Sequence, residues 1–327
     1  MRFSKICLIA VAAAAANTLA LAKSKTKSKK QTPPAPAPAP SVPMLCGSGF
    51  NALTINNNGR AVINGGTYDA SCIVSEGEDF NGIGMYVGSG ASATVCAATL
   101  FKGGPGGNDK NPGVYVDAGA TLAVKNAGVI EGGECNLEDD DGYGLYVRGN
   151  STTEAKAIIA GDVTIRGGLN HATNLRTSAI HVEWNAMLEV YGGEIGNNDR
   201  GSLLITAANN GTAQAKICGG IYKGEWFLTS IYNGTVSVNV YGKNLVYDVF
   251  RSVVEEDVVL NFAILKGDLC DGSKINVFVL SVVGNATASS VNLFNDCTKC
   301  TVPTFAECGG GGGQVRSVRL YIDNISK

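Results

Sequence analysis

Tyr146, Arg148 and His181 are the side chains of this chain whose types and spacing could do chemistry. A tyrosine or histidine can take a proton and an arginine can hold a carboxylate. Together they could serve a lyase-type reaction on a uronate polymer. They recur in one short phrase: Met85-Tyr86-Val87, Val114-Tyr115-Val116, Leu145-Tyr146-Val147 and Ile180-His181-Val182. The flanking residues of each phrase are two apart, so they share one face of a strand and point inward. The middle residues then point outward. On parallel strands spaced about 4.8 Å apart, Tyr86, Tyr115, Tyr146 and His181 should form an exposed ladder. The next outward position carries Asp117, Arg148 and Glu183. Sugar rings stack on aromatic faces, while carboxylates and arginine orient hydroxyls. These seven residues are the expected ligand-binding face, with Tyr146, Arg148 and His181 as its catalytic members if there is catalysis. With two histidines in the chain, His171 and His181, a histidine-based triad is not expected. A structural reading competes: like residues stack on successive strands, and opposite charges pair across them for a few tenths of a kcal/mol. Lys102, Glu131 and Arg166 alternate in sign in the same way.

The elements that must position this column are written as a repeat. Gly-Gly pairs close its units at 65–66, 103–104, 132–133, 167–168, 192–193 and 219–220. Each unit holds the phrase, then a second apolar run (Ala91 to Val95, Ala120 to Val124, Ala155 to Ile159, Ala186 to Val190, Ala213 to Ile217). A third short run leads to the glycine pair. A unit of about 25–35 residues that cannot bury its own apolar face must stack on its neighbours. Three short strands per turn, cornered by Gly and Asn, predict an all-β parallel β-helix. A β-sandwich would not keep register over such separations. Residues 45–80 read as a first, atypical turn. Residues 236–325 keep β-rich runs without the phrase and read as a drifting continuation. The Cys297–Cys308 piece and the glycines at 309–313 read as a stapled cap against an open sheet edge.

Phrases such as Gly113-Val-Tyr-Val-Asp-Ala-Gly-Ala-Thr-Leu122 and Gly128-Val-Ile-Glu-Gly-Gly133 resemble secreted right-handed parallel β-helix proteins. These form the pectin-lyase-like class, which includes polysaccharide lyases, hydrolases, epimerases and autotransporter passengers. The resemblance covers residues 58–222 best. It implies a fold and transfers no activity. The Asn-Thr-Asp, Gly-His-Gly and Arg-Ile-Lys signatures of polygalacturonases and the Asp-Pro-His of alginate epimerases are missing.

Other chemistry is weaker. Glu138, Asp139, Asp140 and Asp141, with Glu76, Glu78 and Asp79 in the preceding unit, could offer oxygens to calcium. They lack EF-hand spacing, and a solvated charge run is the better reading, which leaves calcium as a weak candidate. Nine cysteines follow residue 22, an odd number that leaves at least one without an intramolecular partner. They read as disulfides. Cys297-x-x-Cys300 with Cys308 lacks an evident fourth zinc ligand. Asn150, Asn210, Asn233, Asn285 and Asn324 begin glycosylation sequons.

The ends speak to location. Residues 1–22 read as a secretory signal: Arg2 and Lys5, an apolar run too short to span a bilayer, then Ala20-Leu21-Ala22. Residues 23–43 read as a Lys/Ser arm and a Pro/Ala spacer, followed by the β-helix to residue 325. The chain carries 26 basic and 28 acidic residues, net −2. Setting aside the seven basic residues before residue 31 leaves −9, because no acidic residue precedes Asp69. An acidic body argues against nucleic acid, and no membrane span is expected. The expectation is a secreted surface, wall or matrix protein that holds extracellular polysaccharide along its flank without catalysis. Two alternatives are a lyase-like enzyme and a mineral- or silica-associated protein acting through the Lys/Ser arm.

Overall fold

The computed structural model describes residues 51–71, 82–105, 111–135, 142–171, 173, 175–197, 201–255, 257–284 and 288–308. The leader, the arm, Cys46, Cys72, the acidic loop 138–141 with Glu76, Glu78 and Asp79, the sequons at Asn285 and Asn324, and the apolar run at 315–322 lie outside them.

The chain winds as a parallel β-helix. The first coil is β1 (Leu53–Ile55), β2 (Arg60–Ile63) and β3 (Gly66–Asp69). The second is β4 (Met85–Val87), β5 (Ser92–Val95) and β6 (Thr99–Lys102); the third is β7 (Val114–Val116), β8 (Thr121–Val124) and β9 (Val129–Glu131). The fourth is β10 (Leu145–Arg148), β11 (Ala155–Ile159) and β12 (Thr164–Arg166). A small hairpin, β13 (Leu169–Asn170) and β14 (Leu175–Arg176), precedes the fifth: β15 (Ile180–Glu183), β16 (Ala186–Val190) and β17 (Glu194–Gly196). The sixth is β18 (Leu203–Ala207), β19 (Thr212–Ile217) and β20 (Ile221–Lys223). Corresponding strands stack parallel, which makes three sheets along the axis. Residues 53–69 are thus a regular coil in full register with the second, not an atypical one.

The register follows the phrase. Met85, Val114, Leu145, Ile180 and Leu203 pair in line, as do Val87, Val116, Val147, Val182 and Ile205. All ten are fully buried in one core cluster. Removing each such side chain from water contributes about 1.5–3 kcal/mol. One corner between the first and second sheets needs a left-handed backbone in coil after coil, at Asn58, Gly90, Gly119, Trp184, Asn210 and Asn233. Asn and Gly take that conformation at little cost.

The seventh coil departs from the pattern. It starts with β21 (Trp226–Ser230) and enters β22 (Thr235–Glu255). β22 lies in the second sheet as far as Tyr241, between β19 and the later β25 (Ala288–Phe294). It then crosses into the first sheet and pairs antiparallel with β23 (Val258–Leu269). β23 pairs antiparallel with β24 (Lys274–Gly284), whose second half returns to the helix on β21. The first sheet is therefore lengthened by an antiparallel hairpin. Its inner residues Ala263, Leu265, Ile275, Val277 and Val279 join the main core.

The cysteine-rich piece is not an end cap. Disulfides tie Cys297 to Cys270 beside the last coil, Cys300 to Cys218 after the sixth coil's second strand, and Cys308 to Cys96 after the second coil's. Residues 297–308 therefore run back along the flank as a strap across the second sheet. Glu307 ends it by pairing with Arg60 and accepting from Thr94 Oγ1 at 2.6 Å.

Candidate functional site

The first sheet brings the expected column together. Tyr86, Tyr115, Tyr146 and His181 are Cα partners on four successive strands, and Leu204 follows on the fifth. The Tyr86 and Tyr115 rings stack at 5.5 Å, Tyr115 meets Tyr146 edge-on at 5.2 Å, and Tyr146 stacks on His181 at 4.9 Å. Arg148 pairs in register with Glu183, its Nε 3.4 Å from the carboxylate.

The ladder is buried, which corrects the expectation of an exposed aromatic face. Tyr146 has no solvent exposure, Tyr115 has 3% and His181 has 5%; Tyr86 alone is half-buried. Strand alternation says that these rings leave the core, but not whether something covers them. Two residues of the connections into the first sheet do so. Tyr143 lies 4.6 Å from His181 and 5.5 Å from Tyr146, and Ile83 joins the same cluster. Sequence reasoning passed over both. The one available signal was a bulky aromatic set between Gly142 and Gly144.

The polar groups are used internally. Tyr86 Oη donates to Asp117 at 2.8 Å, and Tyr146 Oη donates to Glu183. His181 Nε2 lies 3.3 Å from Thr206 Oγ1. Burial, then the charge of Glu183 and its hydrogen bond, push the Tyr146 hydroxyl far above the ordinary phenol range. Burial, then Asp117, does the same to Tyr86. Burial works against the Arg148 charge, but the Glu183 carboxylate beside it helps to outweigh this, so its pKa is raised. A tyrosine held so firmly protonated is a poor general base near neutral pH. Tyr86 and the rim of the column, Asp117, Arg148, Glu183 and the adjoining Trp184, are partly open; the Arg148 guanidinium lies 5.9 Å from the Trp184 ring centroid.

The second charge column behaves as a stacking device. Glu131 takes Arg166 at 2.8 Å and Arg176 at 3.1 Å. Burial alone would raise its pKa, yet the two guanidiniums hold it below the ordinary carboxylate range. Among the described residues no group of three or more His, Cys, Asp and Glu could hold a metal ion. Six of the nine cysteines form the three strap disulfides, including Cys297, Cys300 and Cys308, so the zinc alternative falls. Cys135 is buried, its thiol 3.6 Å from the Gly133 carbonyl.

Asn150, Asn210 and Asn233 are exposed at the corner between the first and second sheets. At Asn210-Gly-Thr212 and Asn233-Gly-Thr235 the asparagine has positive φ and the threonine opens the next strand. The turn therefore accounts for these two motifs whether or not they carry glycan.

A different flank is open. Along the corner between the second and third sheets runs a groove of about 660 Å³. Its lining includes Asp162, Thr164, Tyr191, Glu194, Asp271 and Ser273 over a glycine floor at 161, 192, 193 and 220. Asp271 accepts from the Gly220 N–H at 2.8 Å and from Ser273, and Glu194 pairs with Lys223 at 2.6 Å.

Comparison with family models, with curated proteins and with solved structures finds no match. The three disulfides fit an oxidising compartment. Among the described residues no helix is long and apolar enough to cross a membrane.

Proposed function

We propose that this protein is a secreted, non-catalytic structural element of a cell surface, wall or matrix, and that it holds polysaccharide in the groove between its second and third sheets. The observation that carries the reading is the fate of the chemically capable side chains. Tyr146 and His181 lie under Tyr143 and Ile83, Glu183 takes up both Tyr146 and Arg148, and His181 faces Thr206. A lyase base needs reach to a substrate proton and a pKa near the working pH; Tyr146 is fully buried, and burial and Glu183 raise its pKa further from that range.

The groove offers what a hydroxylated polymer uses: accessible backbone at Gly161, Gly192 and Gly193, hydroxyls at Thr164 and Ser273, and carboxylates at Asp162, Glu194 and Asp271. Three carboxylates in an acidic body repel polyuronates. The fitting class is a neutral or amino-bearing polysaccharide. Strap disulfides that fasten the last coil to the second suit a protein that must stay rigid outside the cell.

The test is affinity electrophoresis of the intact protein against neutral, amino-bearing and uronate polysaccharides, with unsaturated and reducing ends assayed in parallel. Retardation by neutral or amino-bearing polymers should weaken roughly tenfold in an Asp162→Lys/Thr164→Lys variant and persist in Arg148→Ala. New chain ends that vanish with Arg148→Ala/His181→Ala would make the protein an enzyme and overturn the reading. Retention on silica that depends on residues 23–30 would favour the mineral-associated alternative.

A further inference from the structure

The hairpin that lengthens the first sheet ends in an open edge. From Lys243 to Glu255, β22 pairs with β23 on one side, and among the described residues no strand lies along its other side. The edge runs along eleven residues of β23, Val258 to Asp268, with register shifts at Lys243/Val246 and Val249/Arg251, about 37 Å at 3.4 Å per residue, far beyond the short edges by which β-proteins avoid association. It also carries exposed apolar side chains: Val254 is 73% exposed, Phe250 57%, Val249 54% and Val246 37%. Phe250 extends an aromatic patch formed with Phe262 and Phe278 at 6.4 and 6.0 Å.

We propose that this edge pairs antiparallel with the same edge of a second copy, joining the two first sheets into one continuous sheet across a two-fold axis. The sequence of the edge is complementary to itself about a point between Val249 and Phe250. That register sets Val249 opposite Phe250, Asp248 opposite Arg251, Val246 opposite Val253, and Leu245 opposite Val254. Every contact occurs twice, and Asp248 of each copy meets Arg251 of the other.

A regular strand could not adopt this register. Opposed residues must share a face, and here each pair has one odd and one even number, which places them on opposite faces of an unbroken strand. β22 is broken at the required place. Its pairing with β23 shifts between Val249 and Arg251, so that Asp248 pairs with Ile264 and Arg251 with Phe262. Ile264 and Phe262 share a face, so the irregularity puts Asp248 and Arg251 on one face too. Val246, opposite Lys266, and Val253, opposite Leu260, fall on that same face. In a single copy, among the described residues, Asp248 pairs with the exposed Lys266 at 3.6 Å, and Arg251 lies 5.9 Å from the Phe262 ring. The interface stands on this edge alone and does not depend on the polysaccharide reading.

Sedimentation equilibrium on the intact, disulfide-bonded protein tests it, with circular dichroism as a check on folding. The wild type should have the dimer mass at micromolar concentration. Asp248→Arg and Arg251→Asp should each raise the dimer dissociation constant roughly tenfold or more, since each sets like charges opposite one another at two places. The double swap Asp248→Arg/Arg251→Asp should restore the wild-type constant, which a generic surface effect would not do. A wild type that stays monomeric to about 100 μM overturns the proposal. So does a dimer indifferent to both single reversals. A monomer that dimerises only after residues 309–327 are removed overturns it as well, because the chain's own tail would then occupy the edge.

Discussion

Glu183 is the residue on which the buried ladder turns. It accepts from Tyr146 and pairs with Arg148, and both partners are at least partly withdrawn from water. Replacing it with glutamine leaves Arg148 without its carboxylate and weakens the charge-assisted bond from Tyr146. Side-chain exposures of 23% for Glu183 and 32% for Arg148 moderate the cost. Glu183→Gln should lower stability by about 1–3 kcal/mol, read as a shift in the urea midpoint. Glu131 gives the matching pH dependence. Its folded pKa is depressed by Arg166 and Arg176 against the effect of burial. A depressed carboxylate stabilises the fold above its unfolded pKa, and that contribution is lost as pH falls through the lower folded value. Glu189 acts in the same direction: burial opposes its charge, but Lys156, Tyr191 and Lys216 outweigh it. Thermal stability should therefore fall as pH drops below about 4. Glu131→Gln should flatten that fall while being less stable at neutral pH. A variant as acid-sensitive as the wild type would show that Glu131 is not one of the responsible groups.

At the scale of the element, the Gly-Gly pairs do not all close a unit: 65–66, 192–193 and 219–220 turn into the third strand, with positive φ at Gly65, Gly66, Gly193 and Gly220, while 103–104, 132–133 and 167–168 follow it, where chain crosses chain. A Cβ on Gly133 would fall on the Gly104 carbonyl, and one on Gly168 would fall on the Gly133 carbonyl. These glycines let the connections from the third sheet back to the first run against one another. Gly272, in the β23–β24 turn, has positive φ but nothing near its missing Cβ. Gly168→Ala should cost about 3 kcal/mol or more, or prevent folding. Gly272→Ala should cost only the left-handed backbone penalty of about 1–2 kcal/mol. Melting temperatures that fall equally would refute the close-approach account. This contrast marks what could be read in advance. The two-residue alternation of Val114-Tyr115-Val116 and its copies is local, so it placed strands, register and core correctly, and it brought Tyr146 next to His181. What covers the outer face is not local. Tyr143 reaches the ladder from a connection whose path depends on glycine crossings between coils, and no periodicity encodes that. The long hairpin of β22 to β24 was hidden for a similar reason: its alternation resembles that of any coil, and only its pairing partners differ.

At the scale of the molecule, the strap decides how the coils are held. A solenoid's coils touch only their neighbours, so unwinding can start at an end and spread. Residues 297–308 break that rule by fastening the last coil to the sixth and then to the second. Phe305 adds an apolar contact on the way, packing with Tyr191, Tyr241 and Cys218 on the outer side of the second sheet. The three bridges should not be equivalent. Cys96–Cys308 spans 212 residues and Cys270–Cys297 spans 27. In the chain-entropy account the longer closure restricts the unfolded chain more, by roughly 5 against roughly 3.5 kcal/mol. It also holds the N-terminal coils, which the shorter bridge does not touch. Cys96→Ser/Cys308→Ser should therefore lower the unfolding midpoint further than Cys270→Ser/Cys297→Ser does. It should also expose the first two coils, residues 53–102, to limited proteolysis and amide exchange while coils five to seven stay protected. Uniform loss of protection along the axis would mean that the solenoid unfolds as one cooperative unit and that the strap supplies only general stability. Early exchange confined to the first coils would show that the strap acts as a clasp on the end it reaches last.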